Sequence, residues 1–228
     1  MSTPVSYSRQ TDILDPHLAK SCHVTICGLG TIGSHAAMEL ARLGVGSLHL
    51  IDGDVVEAHN LPSQAYNLAD LDRPKAEALE EHVKAVSDHI TVRAEQTMLQ
   101  GGEFFDAGPV ILAVDNMDAR KAILDNSVAY QPDKTLVIDG RMGGKNLQLL
   151  AFDPSDDAAL SVWHDEYWFP QEDAAPIPCG GRSVSFIGSF TGGMIASYVC
   201  RHLNGKAVPA FYMIDLDNYM PRQQKTLS

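Results

Sequence analysis

Apolar and polar positions recur along this chain in two rhythms, and the switches between them mark its elements. "CHVTIC" (22–27) spaces Val24 and Ile26 two apart and runs straight into Gly28, the period of a strand. Beyond it, Ile32, Ala36 and Leu40, with Ala37 and Ala41 beside them, fall at helical spacing and leave Glu39 and Arg42 outside the stripe. That pattern predicts an amphipathic helix. Gly44 and Gly46 close it, and "SLHLID" (47–52) is predicted as the next strand.

"RPKAEALEEHVKAV" (73–86) reads as a helix with Pro74 near its start, where a missing N–H costs nothing. "ITVRA" (90–94) and the fully apolar run in "VILAVDN" (110–116) predict strands, and "MDARKAILDNSVAY" (117–130) a helix. "TLVIDG" (135–140) and "NLQLLAF" (146–152) predict two more strands. From Asp153 to Arg182 the pattern turns irregular, with four prolines and the cluster Trp163, Tyr167, Trp168 and Phe169. A long apolar helix comes next, and "AFYMIDL" (210–216) is predicted as a last strand.

Strands alternating with helices over short connections predict an α/β, Rossmann-like fold. Its sheet is expected to be twisted and mostly parallel, with helices on both faces and antiparallel strands toward the C-terminal part. At 228 residues the chain suits one α/β domain. It is read as a single domain, 1–228, with an N-terminal arm (1–20) and an irregular crossover (about 153–182). A loop of that length inside a compact domain is more often functional than structural.

Composition changes this picture at three points. The net charge of −12 argues against nucleic acid or an anionic membrane as partner, since both are held by clustered Lys and Arg. The run from Ser183 to Cys200 has no charge, but it contains four Ser, one Thr and three Gly. It is therefore read as a buried core or dimer helix and not as a membrane span. Cys22, Cys27, Cys179 and Cys200 form no C-x-x-C pair. That predicts neither a disulfide framework nor a structural zinc, and together with an N-terminus lacking an apolar leader it predicts a reducing cytoplasm. His164, Asp165 and Glu166 are adjacent, which suits a solvated tip better than one ion.

The chemistry starts at "GLGTIG". Gly28, Gly30 and Gly33 come after a strand and open a helix, so backbone N–H groups at Thr31, Ile32 and Gly33 face an anion. Asp52 lies nineteen residues after Gly33 at a strand end, placed to accept from ribose hydroxyls. These features suit NAD, FAD or ATP equally. The next stretch does not: "DGDVVEAHNLPSQ" adds Asp54, Asn60 and Gln64, and Lys75 lies beyond it.

Asp52, Asp54, Asn60, Gln64 and Lys75 in this order, with "YSRQ" upstream, resemble the ThiF/MoeB/HesA superfamily of ubiquitin-activating-type adenylyltransferases. The resemblance runs from Tyr7 to about Arg141 and resumes over the helix after Cys179. "HNLPSQ" and "IDGRMGG" look most like its compact, stand-alone bacterial, plasmid or phage members. It implies attack of a carboxylate on the α-phosphate of ATP, leaving an acyl-adenylate. The carboxylate would be the C-terminus of a ubiquitin-like or sulfur-carrier protein with a Gly-Gly tail.

By the same resemblance, Asp115 in "ILAVDNMDAR" matches a magnesium-binding aspartate, the plain alternative being a cap for the adjoining helix. Lys75 matches a phosphate-facing lysine, and Asn60 and Gln64 would position phosphates or the tail. Arg9 resembles an arginine lent to the partner subunit, implying a homodimer. Cys179, beside Arg182 and ahead of the long helix, would accept the activated tail as thioester or persulfide; a remnant of a zinc ligand is the alternative. The aromatic cluster would drape over the tail or pack in the core.

Two departures stand out. The family's N-L-x-R-Q has Ser63 in place of its arginine, and Arg73, Arg141 and Arg182 are the candidate substitutes, Arg141 first because it comes after a strand end. The two C-x-x-C zinc pairs of many relatives are missing. A nicotinamide-dependent oxidoreductase sharing only the glycine turn, and a catalytically silent subunit of a heteromeric enzyme, are the competing readings.

Overall fold

The computed structural model describes residues 5–131, 133–143, 146–174, 184–216, 218 and 220–222. Five parallel strands, β1 (His23–Cys27), β2 (Ser47–Ile51), β3 (Thr91–Glu95), β4 (Val110–Leu112) and β5 (Val137–Gly143), form one half of a single sheet. Three antiparallel strands, β6 (Asn146–Phe152), β7 (Phe211–Asp215) and β8 (Met220–Arg222), extend it. The order is β3-β2-β1-β4-β5-β6-β7-β8. This is the expected Rossmann-like sheet, and β8 is a strand that the hydropathy pattern does not announce.

Strand residues alternate between two cores. Val24, Ile26, Leu48, Leu50, Ile111 and Ile138 face one side, where they meet the apolar stripe of α2 (Thr31–Leu43) and the helix α3 (Lys75–Val86). Cys27, Ile51, Val110, Leu112 and Val137 face the other, against α4 (Met117–Ile123) and its π-helical continuation Leu124–Val128. Period-2 burial on both faces is what a sheet covered by helices on both sides requires.

From Ser185 on, the uncharged run lies in the helix α6 (Ser185–Leu203), packed along α2. A Cβ at Gly192 would stand 2.7 Å from His35 C, and one at Gly188 would collide with the His35 ring, so these glycines set the closeness of the two helices. Among the described residues no helix is long and apolar enough to cross a membrane. Two more helices lie in segments read above as arm and crossover. α1 (Pro16–Lys20) is capped by Asp15, and α5 (Asp157–Val162) by Asp156, which accepts from Ala158 N and Ala159 N. The crossover is thus helical in its first part, a helix too short to leave a periodic signature.

The arm docks at the far end of α2. Gln10 Nε2 donates to Leu43 O at 2.8 Å, Tyr7 lies edge-on to His89, and Gly44, at φ +95°, leaves the space the Tyr7 ring fills.

Candidate functional site

The carboxyl ends of β1, β2 and β4 share one edge of the sheet, the place where parallel α/β sheets bind ligands. β1 delivers the chain to Gly28, which has φ +89° and whose Cβ would stand 2.7 Å from Val114 N beyond β4. A Cβ at Gly33 would run into Gly28 O, so α2 starts pressed against the turn. Gly30 differs: a Cβ there would meet nothing nearer than Gln64 Nε2 at 4.0 Å. It caps α2 without a side-chain bond, leaving a shallow cradle at the helix start.

Asp52 ties this turn to the loop after β2. Its Oδ2 accepts from Leu29 N at 2.6 Å and its Oδ1 from Asp54 N at 2.8 Å. Each oxygen keeps a lone pair for a ribose hydroxyl, but the first task of Asp52 is to shape the cradle. Tyr66, which has no sequence signal of its own, completes the tie by donating from Oη to Leu29 O at 2.9 Å. Burial, and then the carboxylates of Asp52, Asp70 and Asp54, push its phenol well above the ordinary range, so it remains a donor.

Residues 54–56 run antiparallel to 72–75. Val56 N donates to Arg73 O at 2.8 Å and Lys75 N to Asp54 O at 3.0 Å. This zipper sets Lys75, only 6% exposed, with Nζ 2.8 Å from Asp54 Oδ2. Asn60 mainly shapes its own loop, since its Oδ1 accepts from Glu57 N and its carbonyl from Ser63 N and Gln64 N. Gln64 Oε1 is buried with no hydrogen-bond partner among the described residues, and it is the amide nitrogen Nε2 that stands nearest Gly30.

Ser63 is buried at the position of the missing arginine. It meets Thr31 Oγ1 at 3.4 Å, and its carbonyl meets His35 Nε2 at 3.2 Å. None of the described substitutes points its charge at the turn. Arg73 is paired with Glu81 and Asp70. Arg141 donates from Nε and Nη2 to Asp139 Oδ2 (3.0 and 2.6 Å) and from Nη1 to Tyr167 O (2.6 Å), so the expectation for Arg141 is not met. Its partner Asp139 is fully buried on the opposite face and also holds Arg120 and Trp163 Nε1. Arg182 and Cys179 lie outside the described residues.

Asp115 comes shortly after β4. It is exposed and has no hydrogen-bond or ion-pair partner among the described residues. The helix cap is its neighbour Asn116, which accepts from Ala119 N at 2.9 Å, so the carboxylate of Asp115 is not used for capping. Such a carboxylate fits magnesium, which takes one or two carboxylates and completes its shell with phosphate oxygens and water. No group of three or more His, Cys, Asp or Glu that could hold a metal occurs among the described residues.

Arg9 is exposed in the arm. α2 separates its neighbour Gln10, bound at Leu43, from the glycine turn by thirteen residues, about 20 Å of helix. The aromatic cluster divides. Trp163 is core, Tyr167 stacks on Phe211, Trp168 donates to Met117 O at 3.2 Å, and Phe169 is exposed. Trp163 therefore cannot drape over a tail.

Known proteins resemble this chain in sequence and in fold. The Escherichia coli K12 sulfur carrier protein ThiS adenylyltransferase is 35% identical over 136 residues, 58% of this chain and 53% of that protein. Its Bacillus subtilis counterpart is 31% identical over 116 residues, 48% of this chain and 34% of that protein. The Aspergillus terreus adenylyltransferase and sulfurtransferase uba4 is 37% identical over 114 residues, 48% of this chain and 24% of that protein. The chain spans about half or less of these relatives. Among solved structures, E. coli MccB superimposes with a TM-score of 0.76 at 16% identity, covering 99% of this chain and 72% of that one. At that identity the likeness shows the fold. The family model matches residues 8–225, both halves of the sheet, and on that match the chain belongs to the ThiF family.

Proposed function

We propose that this chain catalyses ATP-dependent adenylation of the C-terminal carboxylate of a ubiquitin-like or sulfur-carrier protein ending in a Gly-Gly type tail. The relatives named as ThiS adenylyltransferases support that substrate class. The single observation that carries the reading is the shared sheet edge: an open glycine cradle, Asp52 at its rim, a buried lysine and a partnerless aspartate. A hydride-transferring enzyme has no use for the last two.

In the reaction a carboxylate oxygen of the tail forms a bond to the α-phosphorus, the bond from that phosphorus to the bridging oxygen breaks, and pyrophosphate leaves with the electron pair. The difficulty is charge, since an anion approaches a polyanion. Asp52 holds the ribose, the Thr31–Gly33 backbone and Gly30 receive phosphate, and Lys75 exchanges Asp54 for phosphate oxygens. Asn60 keeps the loop in shape while Gln64, whose Nε2 stands nearest Gly30, positions the phosphates or the tail. Asp115 would hold a magnesium ion, which would supply positive charge against the phosphates. Glycines in the tail suit a crowded approach because they bring no side chains.

The catalytic unit in this reading is a homodimer in which Arg9 serves the partner's site. Its support is the distance of the arm from its own glycine turn and the exposed face of α6 that carries no charge from Ser185 to Cys200, with Phe186, Phe190 and Gly193, on a chain of net charge −12. Transfer to Cys179, one adenylation domain over 1–228 and a cytoplasmic setting with ample ATP belong to the same proposal. In the thioester route the Cys179 thiolate attacks the acyl carbon of the adenylate and AMP leaves; in the persulfide route a sulfane-sulfur donor first loads Cys179, and the outer sulfur attacks that carbon as AMP leaves.

ATP–pyrophosphate exchange with the purified protein and a Gly-Gly sulfur carrier tests it. Exchange that needs the carrier and stops when its last two residues are removed is the expected result. NADH binding without exchange sinks the reading, and turnover only after adding a second, different subunit replaces it with the silent-subunit alternative.

A further inference from the structure

The peptide groups on either side of Asp115 are pinned from outside their own turn. Upstream, Val114 O accepts from Arg120 Nη2, and Arg120 is itself fixed on Leu112 O and Asp139. Downstream, Met117 N donates to Gln171 Oε1 at 2.8 Å and Met117 O accepts from Trp168 Nε1 at 3.2 Å. Gln171 N in turn faces Asp118 Oδ1 at 3.3 Å, and the Lys121 ammonium sits 5.6 Å over the Trp168 ring.

Both clamps lead to one segment. Asp139 accepts from Trp163 Nε1 at 2.8 Å, and Arg141 ties Asp139 to Tyr167 O. Residues 163–171 thus hold the downstream end of the Asp115 turn directly and its upstream end through Asp139 and Arg120, although they lie about fifty residues away in sequence. The carboxylate between the clamps makes no hydrogen bond or ion pair among the described residues, and the nearby Arg120 guanidinium acts on it only through space.

Resting on the adenylation reading, we propose that Gln171 is a positioning residue for Asp115: it fixes the turn so that the carboxylate faces the cation and the phosphates, and it couples the crossover to the metal. The physical reason is the geometry of α4. Asn116 caps Ala119 N, which leaves Met117 N without a cap from its own turn, and Gln171 supplies the acceptor from across the chain. A carboxylate on a turn fixed at both flanks loses little freedom on binding a cation, whereas a turn freed on one side must be ordered by the cation itself.

The test uses two variants at one position and one at another. Gln171→Leu removes the acceptor, Gln171→Glu keeps it, and Trp168→Phe removes the second bond to Met117. Mn2+ binding is read by electron paramagnetic resonance in the presence of α,β-methylene-ATP, and hydrogen exchange at the Met117 amide is read in the ligand-free protein. Gln171→Leu is expected to exchange faster at Met117 and to weaken Mn2+ binding about tenfold, a typical effect of outer-shell partners, with metal-free nucleotide binding unchanged. Trp168→Phe weakens Mn2+ in the same direction, and Gln171→Glu behaves as wild type. Unchanged Mn2+ affinity in Gln171→Leu, or a wild-type protein that holds no Mn2+ with the nucleotide, overturns the proposal. Mn2+ results as expected in a protein without pyrophosphate exchange would end the adenylation reading and leave this one standing.

Discussion

Lys75 donates from Nζ to Asp54 Oδ2 at 2.8 Å, and the two partners stand in opposite surroundings, the lysine side chain 7% exposed and the aspartate 59%. An exposed carboxylate returns to water at little cost, while a buried ammonium needs another anion as soon as its partner leaves. Asp54 thereby holds the lysine ready for a phosphate that displaces it.

Lys75→Met separates this role from stability. The substitution keeps the buried stem and leaves Asp54 free to be solvated, so thermal unfolding shifts by less than about 1 kcal/mol. Pyrophosphate exchange falls at least about 100-fold, the usual cost of one electrostatic contact to a transition state. Near wild-type exchange in a folded Lys75→Met protein contradicts the assignment.

A second prediction concerns Asp139. Burial alone would push its carboxyl up, but the guanidinium groups of Arg120 and Arg141 and bonds from Arg141 and Trp163 outweigh burial and hold it below the ordinary range. A folded pKa lower than the unfolded one stabilises fully above about pH 4, and that stability is lost as pH falls further. Arg141→Ala should cost about 2–4 kcal/mol at pH 7, because one of two partners of a buried charge is gone. The gap from wild type stays constant between about pH 7 and 5 and narrows below about pH 4, as the wild type loses the contribution the variant already lacks. Urea unfolding across that range measures it, and a gap that persists at low pH rules out Asp139 as its source.

What could be read from the sequence was local. Gly28 and Gly33 are legible because a tight turn and a pressed helix start impose glycine at short range. Lys75 and Asp115 emerged through a family's spacing, and α2 and α3 through their apolar stripes. The Asp139 cluster was not legible: Arg120, Arg141 and Trp163 are scattered over more than forty residues and meet only because α4, β5 and the crossover pack together. Arg141 was misplaced for that reason, since a strand-end arginine looks alike whichever face of the sheet it serves. Tyr66 and Gln171 act through single bonds to backbone, which leave no pattern along the chain.

Arg9 yields a prediction of a different kind. If each arm serves the neighbouring copy, Arg9→Ala and Lys75→Met are each nearly inactive alone, but a mixed dimer contains one site with both residues intact. Co-expressing the two variants should restore about a quarter of wild-type exchange, since about half the dimers are mixed and each has one whole site. Absence of recovery in dimers shown by tagged pull-down to be mixed would place Arg9 outside the partner's site.

The thiols can be sorted by their surroundings before any transfer is sought. Burial pushes the Cys22 thiol up to about 11, and burial together with Glu103 pushes Cys27 higher still. Neither presents a thiolate near neutral pH, and the thiolate is the reactive form. Iodoacetamide at about pH 8 should therefore leave Cys22 and Cys27 of the native protein unmodified, with labelling confined to Cys179 and Cys200, which peptide mass mapping will show. On that quiet background, incubation with ATP and a Gly-Gly carrier should protect Cys179 and add a reducible carrier adduct there, while Cys179→Ser keeps pyrophosphate exchange and loses the adduct. Equal labelling of Cys179 with and without ATP and carrier would show that the activated tail goes directly to another acceptor.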